Sequence, residues 1–498
     1  MTDDSTTKPL ERVRSGVPGL DAILCGGFFR GGVYIFLATP GSGKTILGNQ
    51  ICFQHVASGG RALFVTLLAE SHARMITQLG TLTFFDVAVV GQGLLYLAGY
   101  DALEKGKLKG LIHLLRQVVR DHNATLLVID GVVTAGSMAE SEIEAKKFVH
   151  ELQVFSELAE CTTLLLTGPS DRGEQYAMRT MVDGLIAMHV EGVEMDTVRS
   201  IEVTKSRGSP ALMGRHLYEI TNAGLTIYPR TETLYGKAME RPDPTHLPSS
   251  AFGVEALDAM LGGGVRAGSI TMLLGSPGSG KTLLGLSFLA AGGRIGERGL
   301  YFGFFETPSD LCRKSDEVGS DLSAHVRGGL VDVLWQAPLG ALADALVEKL
   351  LANIAARGVR RVVIDGLGGL KDSLVHAERA RRFFSALCNE LRTRDVSTVL
   401  TDETRSLVEI ESPEHGLTAM LDNIIFMRHV ELGAQLHKLV SVMKMREGVG
   451  DPSLREFSIG PRGIVVSPNS DSAHVILAGL DQGTFVRPAP RDESDGRR

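Results

Sequence analysis

Residues 275–282 read "GSPGSGKT" and follow the apolar stretch "SITMLL"; residues 38–45 read "ATPGSGKT" and follow "GGVYIFL". In such a loop the glycines let consecutive backbone N–H groups curl around a phosphate, and the helix that follows adds its positive N-terminal end. The pattern G-x-x-x-x-G-K-[ST] directs Lys44 and Lys281 to the β- and γ-phosphates of ATP, and the hydroxyls of Thr45 and Thr282 to Mg²⁺. Pro40, Gly41, Ser42 and Gly43 complete the first cradle, and Pro277, Gly278, Ser279 and Gly280 the second. Gly275–Thr282 fits the pattern throughout, whereas Ala38 replaces the first glycine at a strand end, where a methyl group is tolerated.

The likeness extends outward from the loops. With a constant offset of 237, residues 16–48 match residues 253–285 at 18 of 33 positions without a gap. "ALFVTLLAE" (62–70) then falls on "GLYFGFFET" (299–307), and "TLLVIDG" on "RVVIDG", with Asp130 and Asp365 235 residues apart. A period this long is a duplicated domain, not a solenoid repeat. The expected layout is a disordered tail at 1–10, a first domain at 11–230, a linker at 231–248, a second domain at 249–465 and a C-terminal tail at 466–498.

The 498 residues exceed one ordinary core, and 44% hydrophobic with 22% charged residues suits a globular chain. The net charge of −7 argues against a protein built mainly to grip nucleic-acid phosphates. Five scattered cysteines without a C-x-x-C pair read as reduced thiols. The polar, acidic start and the lack of a long apolar run lead to the expectation of a cytoplasmic protein with no membrane partner.

Short apolar runs such as "YIFLA", "ALFVTLL", "TLLVID" and "TTLLLT" read as strands buried on both faces, and "SEIEAKKFVHELQVFSELAE" (141–160) has helical periodicity. The expected fold is α/β: two tandem P-loop domains, each a mostly parallel, doubly wound sheet. Asp130 and Asp365, each closing an apolar run, are read as the acidic element that holds magnesium through its water shell. Hydrolysis also needs a group to orient the attacking water. Glu306 in "YFGFFETPSD" stands where the next strand ends; its alternative is a solvated loop carboxylate. The same register in the first copy gives Ala69, and Glu70 falls one residue late, leaving weak hydrolysis or a structural ATP site as the alternatives there. Thr167 and Thr401 end later strands, where they can sense the γ-phosphate.

The duplicated layout, "GLDA" and "ALDA" before the P-loops, "FETPSDL" after the next strand and a late K-x-R resemble the KaiC family of double RecA-like ATPases, over about residues 11–462. The resemblance implies a homohexameric double ring with ATP and Mg²⁺ at the subunit interfaces. It also implies Ser/Thr autokinase activity in the second domain and signalling partners of the KaiB type. It places Lys205 and Arg207, and Lys444 and Arg446, across the interface on the γ-phosphate of a neighbour. The family carries two adjacent glutamates after the strand; here those positions are Leu68–Ala69 and Phe305–Glu306. Its Ser-Thr acceptor pair falls on Thr418 and Ala419, so one candidate phosphorylation site remains, with a capping hydroxyl as the alternative reading. Two other functions stay open: a RecA-like DNA-dependent ATPase, and a non-catalytic ring that ATP merely cements.

Overall fold

The computed structural model describes residues 11–67, 72–137, 141–169, 179–236, 248–337, 340–404, 414–432, 435–448 and 450–483. The chain divides into two compact units between Thr233 and Leu234.

In the first unit the apolar runs become β1 (Val33–Ala38), β2 (Ala62–Thr66), β3 (Leu94–Ala98), β4 (Leu126–Asp130) and β5 (Thr162–Thr167). They are joined by β6 (Gly184–Val193), β7 (Asp196–Ser206), β8 (Arg215–Thr221) and β9 (Gly224–Tyr228). The spatial order is β9-β8-β7-β6-β1-β5-β4-β2-β3. The six strands from β3 to β6 are parallel, and β7, β8 and β9 return as an antiparallel meander. Strands β2, β4 and β5 are buried along their whole length because helices cover both faces of the sheet.

The second unit repeats this plan with β10 (Ile270–Gly275), β11 (Gly299–Gly303), β12 (Val331–Trp335), β13 (Arg361–Asp365) and β14 (Ser397–Glu403). The remaining strands are β15 (Asn423–Leu432), β16 (Gln435–Met445), β17 (Arg455–Gly460) and β18 (Gly463–Val466), in the order β12-β11-β13-β14-β10-β15-β16-β17-β18.

The helices after the P-loops are α1 (Lys44–Ala57) and α2 (Lys281–Arg294), each entered through a left-handed glycine, Gly43 with φ 79° and Gly280 with φ 100°. The helical periodicity at 141–160 forms Glu142–Leu158, with the Ser141 hydroxyl accepting from the Glu144 N–H as its N-cap. Thr231–Tyr235 is a short helix within the stretch read as linker, and residues 237–247 lie outside the described residues, as do 1–10 and 484–498. Asp471–Gly483, read as part of the tail, is a helix whose Ala473 and Ile476 pack with Val430 and Leu439. Among the described residues no helix is long and apolar enough to cross a membrane. All five cysteines are free, and burial pushes the Cys388 thiol up to about 11.

Candidate nucleotide sites

Each P-loop leaves the carboxyl end of the central parallel strand, where ligands of such sheets bind. The antiparallel meander then cups the loop. A β-carbon on Gly43 would lie 2.5 Å from Ile220, and one on Gly280 2.7 Å from Ile459, so only glycine fits between the loop and the meander. Tyr218 donates to the Ser42 carbonyl at 2.7 Å, and Arg199 donates to the Gly41 carbonyl at 3.4 Å. In the second unit Lys438 reaches the Gly278 carbonyl at 3.5 Å from the corresponding place.

The first loop borders a cavity of about 490 Å³ that Gly168 and Pro169 close on the far side. Lys44 Nζ lies 2.5 Å from Asp130 Oδ1, and the Thr45 hydroxyl donates to Asp130 Oδ2 at 2.8 Å. Leu68, Ala69 and Glu70, the positions read for a base in this copy, lie outside the described residues. Among the described residues the Thr167 hydroxyl donates to the Gly168 carbonyl at 3.4 Å.

The second loop borders a cavity of about 1060 Å³ that gathers Lys281, Thr282, Glu306 and Asp365. Lys281 Nζ donates to the carbonyls of Gly275 and Ser276 at 3.0 and 2.9 Å, and burial holds its pKa below the ordinary lysine value. Thr282 donates to Asp365 Oδ2 at 2.9 Å. Two further hydroxyls converge on the same carboxylate: Tyr301 on Oδ2 and Thr401 on Oδ1, both at 2.6 Å. Glu306 pairs at 2.7 Å with Lys314, about two turns into the helix Pro308–Glu317 that Thr307 N-caps.

Sequence reasoning missed Tyr301 and Lys314. A tyrosine inside a fully buried strand was the available signal, because a buried phenol must find a hydrogen-bond partner.

The donor set fits a magnesium nucleotide. Magnesium takes one or two carboxylates plus phosphate oxygens and keeps several waters. Thr282 beside Asp365 supplies that share, as does Thr45 beside Asp130. The buried hydroxyls of Ser42 and Ser279 have no partner within the described residues, and a β-carbon on Gly41 would meet nothing within 4 Å.

The K-x-R residues sit at the other end of the sheet. β7 and β16 run backwards, so their carboxyl ends lie beside the amino ends of the parallel strands. Lys205 faces Leu185, whose neighbour Ile35 precedes Ala38 by three residues; Lys444 faces Ile424, whose neighbour Met272 precedes Gly275 by three. At about 3.3 Å per residue both lysines stand about 10 Å back from the start of their own loop. Their head groups bond there too: Lys205 to the Thr180 carbonyl at 2.7 Å, and Arg207 to the same carbonyl at 3.3 Å. Lys444 donates to the carbonyls of Thr418 and Leu421, both at 2.7 Å. Arg446 bonds the Ala419 carbonyl at 2.6 Å and Asp422 at 3.2 Å. Thr418 itself is half-buried in the short turn Glu414–Ala419.

A P-loop at the carboxyl end of a parallel strand, with its threonine bonded to an acidic strand end, defines a RecA-like nucleoside triphosphatase domain, here present twice. The family model described as "ATPase: KaiC" matches residues 13–232 and again 251–471. The chain belongs to the KaiC family. It is similar to the circadian clock oscillator protein KaiC of Picosynechococcus sp., with 26% identity over 96% of this chain and 94% of that protein. It is also similar to the circadian clock oscillator protein KaiC 1 of Synechocystis sp., with 25% identity over 96% and 93%. The KaiC of Rippkaea orientalis shows 26% identity over 96% and 92%.

Proposed function

We propose that the protein is a cytoplasmic, magnesium-dependent ATPase that assembles as a homohexameric double ring and phosphorylates itself at Thr418, acting as a clock-type switch toward signalling partners of the KaiB type. The observation that carries the catalytic reading is the second cavity, where Glu306 shares one wall system with Lys281, Thr282 and Asp365. In this reading Lys281 binds the transferring phosphate, Thr282 and Asp365 hold Mg²⁺, and Glu306 orients the nucleophile. Bound magnesium supplies charge neutralisation on the β- and γ-phosphates.

The K-x-R geometry supports sharing of each nucleotide between subunits. Cations at the back edge of a sheet do not serve their own loop, but they suit the triphosphate held by a neighbour, whose charge they stabilise. The autokinase reading rests on a related contact. Lys444 holds the Thr418 carbonyl, so a nucleotide reached by Lys444 also comes close to the Thr418 hydroxyl.

Purified protein with Mg·ATP tests this. Glu306→Gln is expected to lower second-domain turnover about 100-fold while nucleotide binding persists. Mass spectrometry is expected to find phosphate on Thr418, lost in Thr418→Ala and in Lys281→Ala. Equal turnover by parent and Glu306→Gln chains refutes the catalytic role, and label confined to other residues refutes the acceptor.

A further inference from the structure

The two acidic strand ends hold the same place in the repeat but differ in their company. Asp130 accepts from Lys44 and Thr45. Asp365 accepts from three hydroxyls, those of Thr282, Tyr301 and Thr401. Register identifies the substitutions behind this difference. Tyr301 faces Val363, two residues before Asp365, as Phe64 faces Val128, two residues before Asp130. Thr401 lies beside Leu273 of the central strand, as Leu166 lies beside Phe36. The second unit therefore carries hydroxyls where the first carries a phenyl ring and an isobutyl group.

Neither hydroxyl is required by packing. Tyr301 is 1% and Thr401 2% exposed, and Phe64 and Leu166 fill the matching places in the first unit at 0% exposure. The Tyr301 phenol donates to Asp365 Oδ2 at 2.6 Å from inside the buried strand. Thr401 is itself fixed, because its oxygen accepts the Gly366 N–H at 2.7 Å while its hydrogen goes to Asp365. A carboxylate has about four acceptor directions, and three hydroxyl donors leave about one.

We propose that Tyr301 and Thr401 are positioning residues for Asp365: their hydroxyls fix its carboxylate so that one acceptor direction remains for a water of a hydrated divalent cation. This rests on the reading of Asp365 as the magnesium element. It makes nucleotide binding at the second site more strictly magnesium-dependent than at the first, where Asp130 is met by an ammonium group instead. Outer partners of this kind tune metal affinity by about 10- to 100-fold.

The test uses the full chain with Lys44→Ala, so that a fluorescent ATP analogue reports the second site, titrated with Mg²⁺ and separately in EDTA. Tyr301→Phe and Thr401→Val are each expected to raise the Mg²⁺ concentration for half-maximal binding about tenfold, with affinity in EDTA unchanged. Thr401→Ser, which keeps the hydroxyl, is expected to restore the parent value. Variants that keep the parent's magnesium dependence, or lose affinity equally with and without Mg²⁺, overturn the inference while leaving the ATPase reading in place. A parent chain with no magnesium dependence overturns the reading of Asp365 and this inference with it. Should Tyr301→Phe fail to fold, the Thr401→Val and Thr401→Ser pair decides the matter.

Discussion

His429 shows how single residues tune the second site. It lies beside the P-loop, with Ser276 Oγ 3.4 Å from its Nδ1, and burial together with Lys438 and Lys281 holds its pKa below the ordinary histidine value. The folded chain thus resists a proton that the unfolded chain accepts, so stability falls as pH drops through the ordinary histidine range. Urea midpoints of the second unit between about pH 7.5 and 5.5 are expected to decline less steeply in His429→Gln than in the parent. The Glu306–Lys314 pair behaves differently, since both side chains are partly exposed. Such pairs contribute about 0.2–1 kcal/mol. Lys314→Ala is expected to leave the urea midpoint nearly unchanged and to lower turnover less than Glu306→Gln does. At this scale the sequence showed the P-loop residues plainly, because a contiguous motif carries its own chemistry. The partners of Tyr301 and Lys314 were not legible, because they are set by strand pairing and by the entry of the following helix.

At the scale of elements, helix α1 must lie close to the sheet for its first turn to face the cavity. Gly48 permits this: a β-carbon there would lie 2.7 Å from the Leu166 side chain and 3.3 Å from Phe64 and Val128. Leu166 is fully buried, so its side chain shifts only against its packed neighbours. Helix propensity favours alanine over glycine by about 1 kcal/mol, while overpacking a dense core costs about 1–3 kcal/mol. Gly48→Ala is therefore expected to destabilise the first unit. At Gly285 the nearest contact is Val363 at 3.0 Å, so Gly285→Ala is expected to be close to neutral. Urea unfolding of the two variants checks the ranking. The antiparallel course of the meander escaped the sequence reading because its strands mix polar and apolar positions. It supplies the loop-capping Ile220 and Ile459, and it places the K-x-R residues at the back edge.

For the whole molecule, the duplication was legible from the gapless match around the loops, and the sheet order then followed the RecA-like plan. The expectation of a ring came only from the family resemblance, since no residue pattern in one chain names its neighbour. Light scattering after gel filtration is expected to show a hexamer in Mg·ATP; a monomer at saturating nucleotide contradicts the ring. The most direct measurement mixes two chains altered only at the second site, Lys281→Ala and the double variant Lys444→Ala with Arg446→Ala. Subtracting the turnover of Lys281→Ala alone removes the contribution of the first unit. If the cations act across subunits, random mixing restores about a quarter of the second-site interfaces and turnover returns on mixing. If the mixture turns over no faster than its components, the cations do not act in trans and the shared-nucleotide account is wrong.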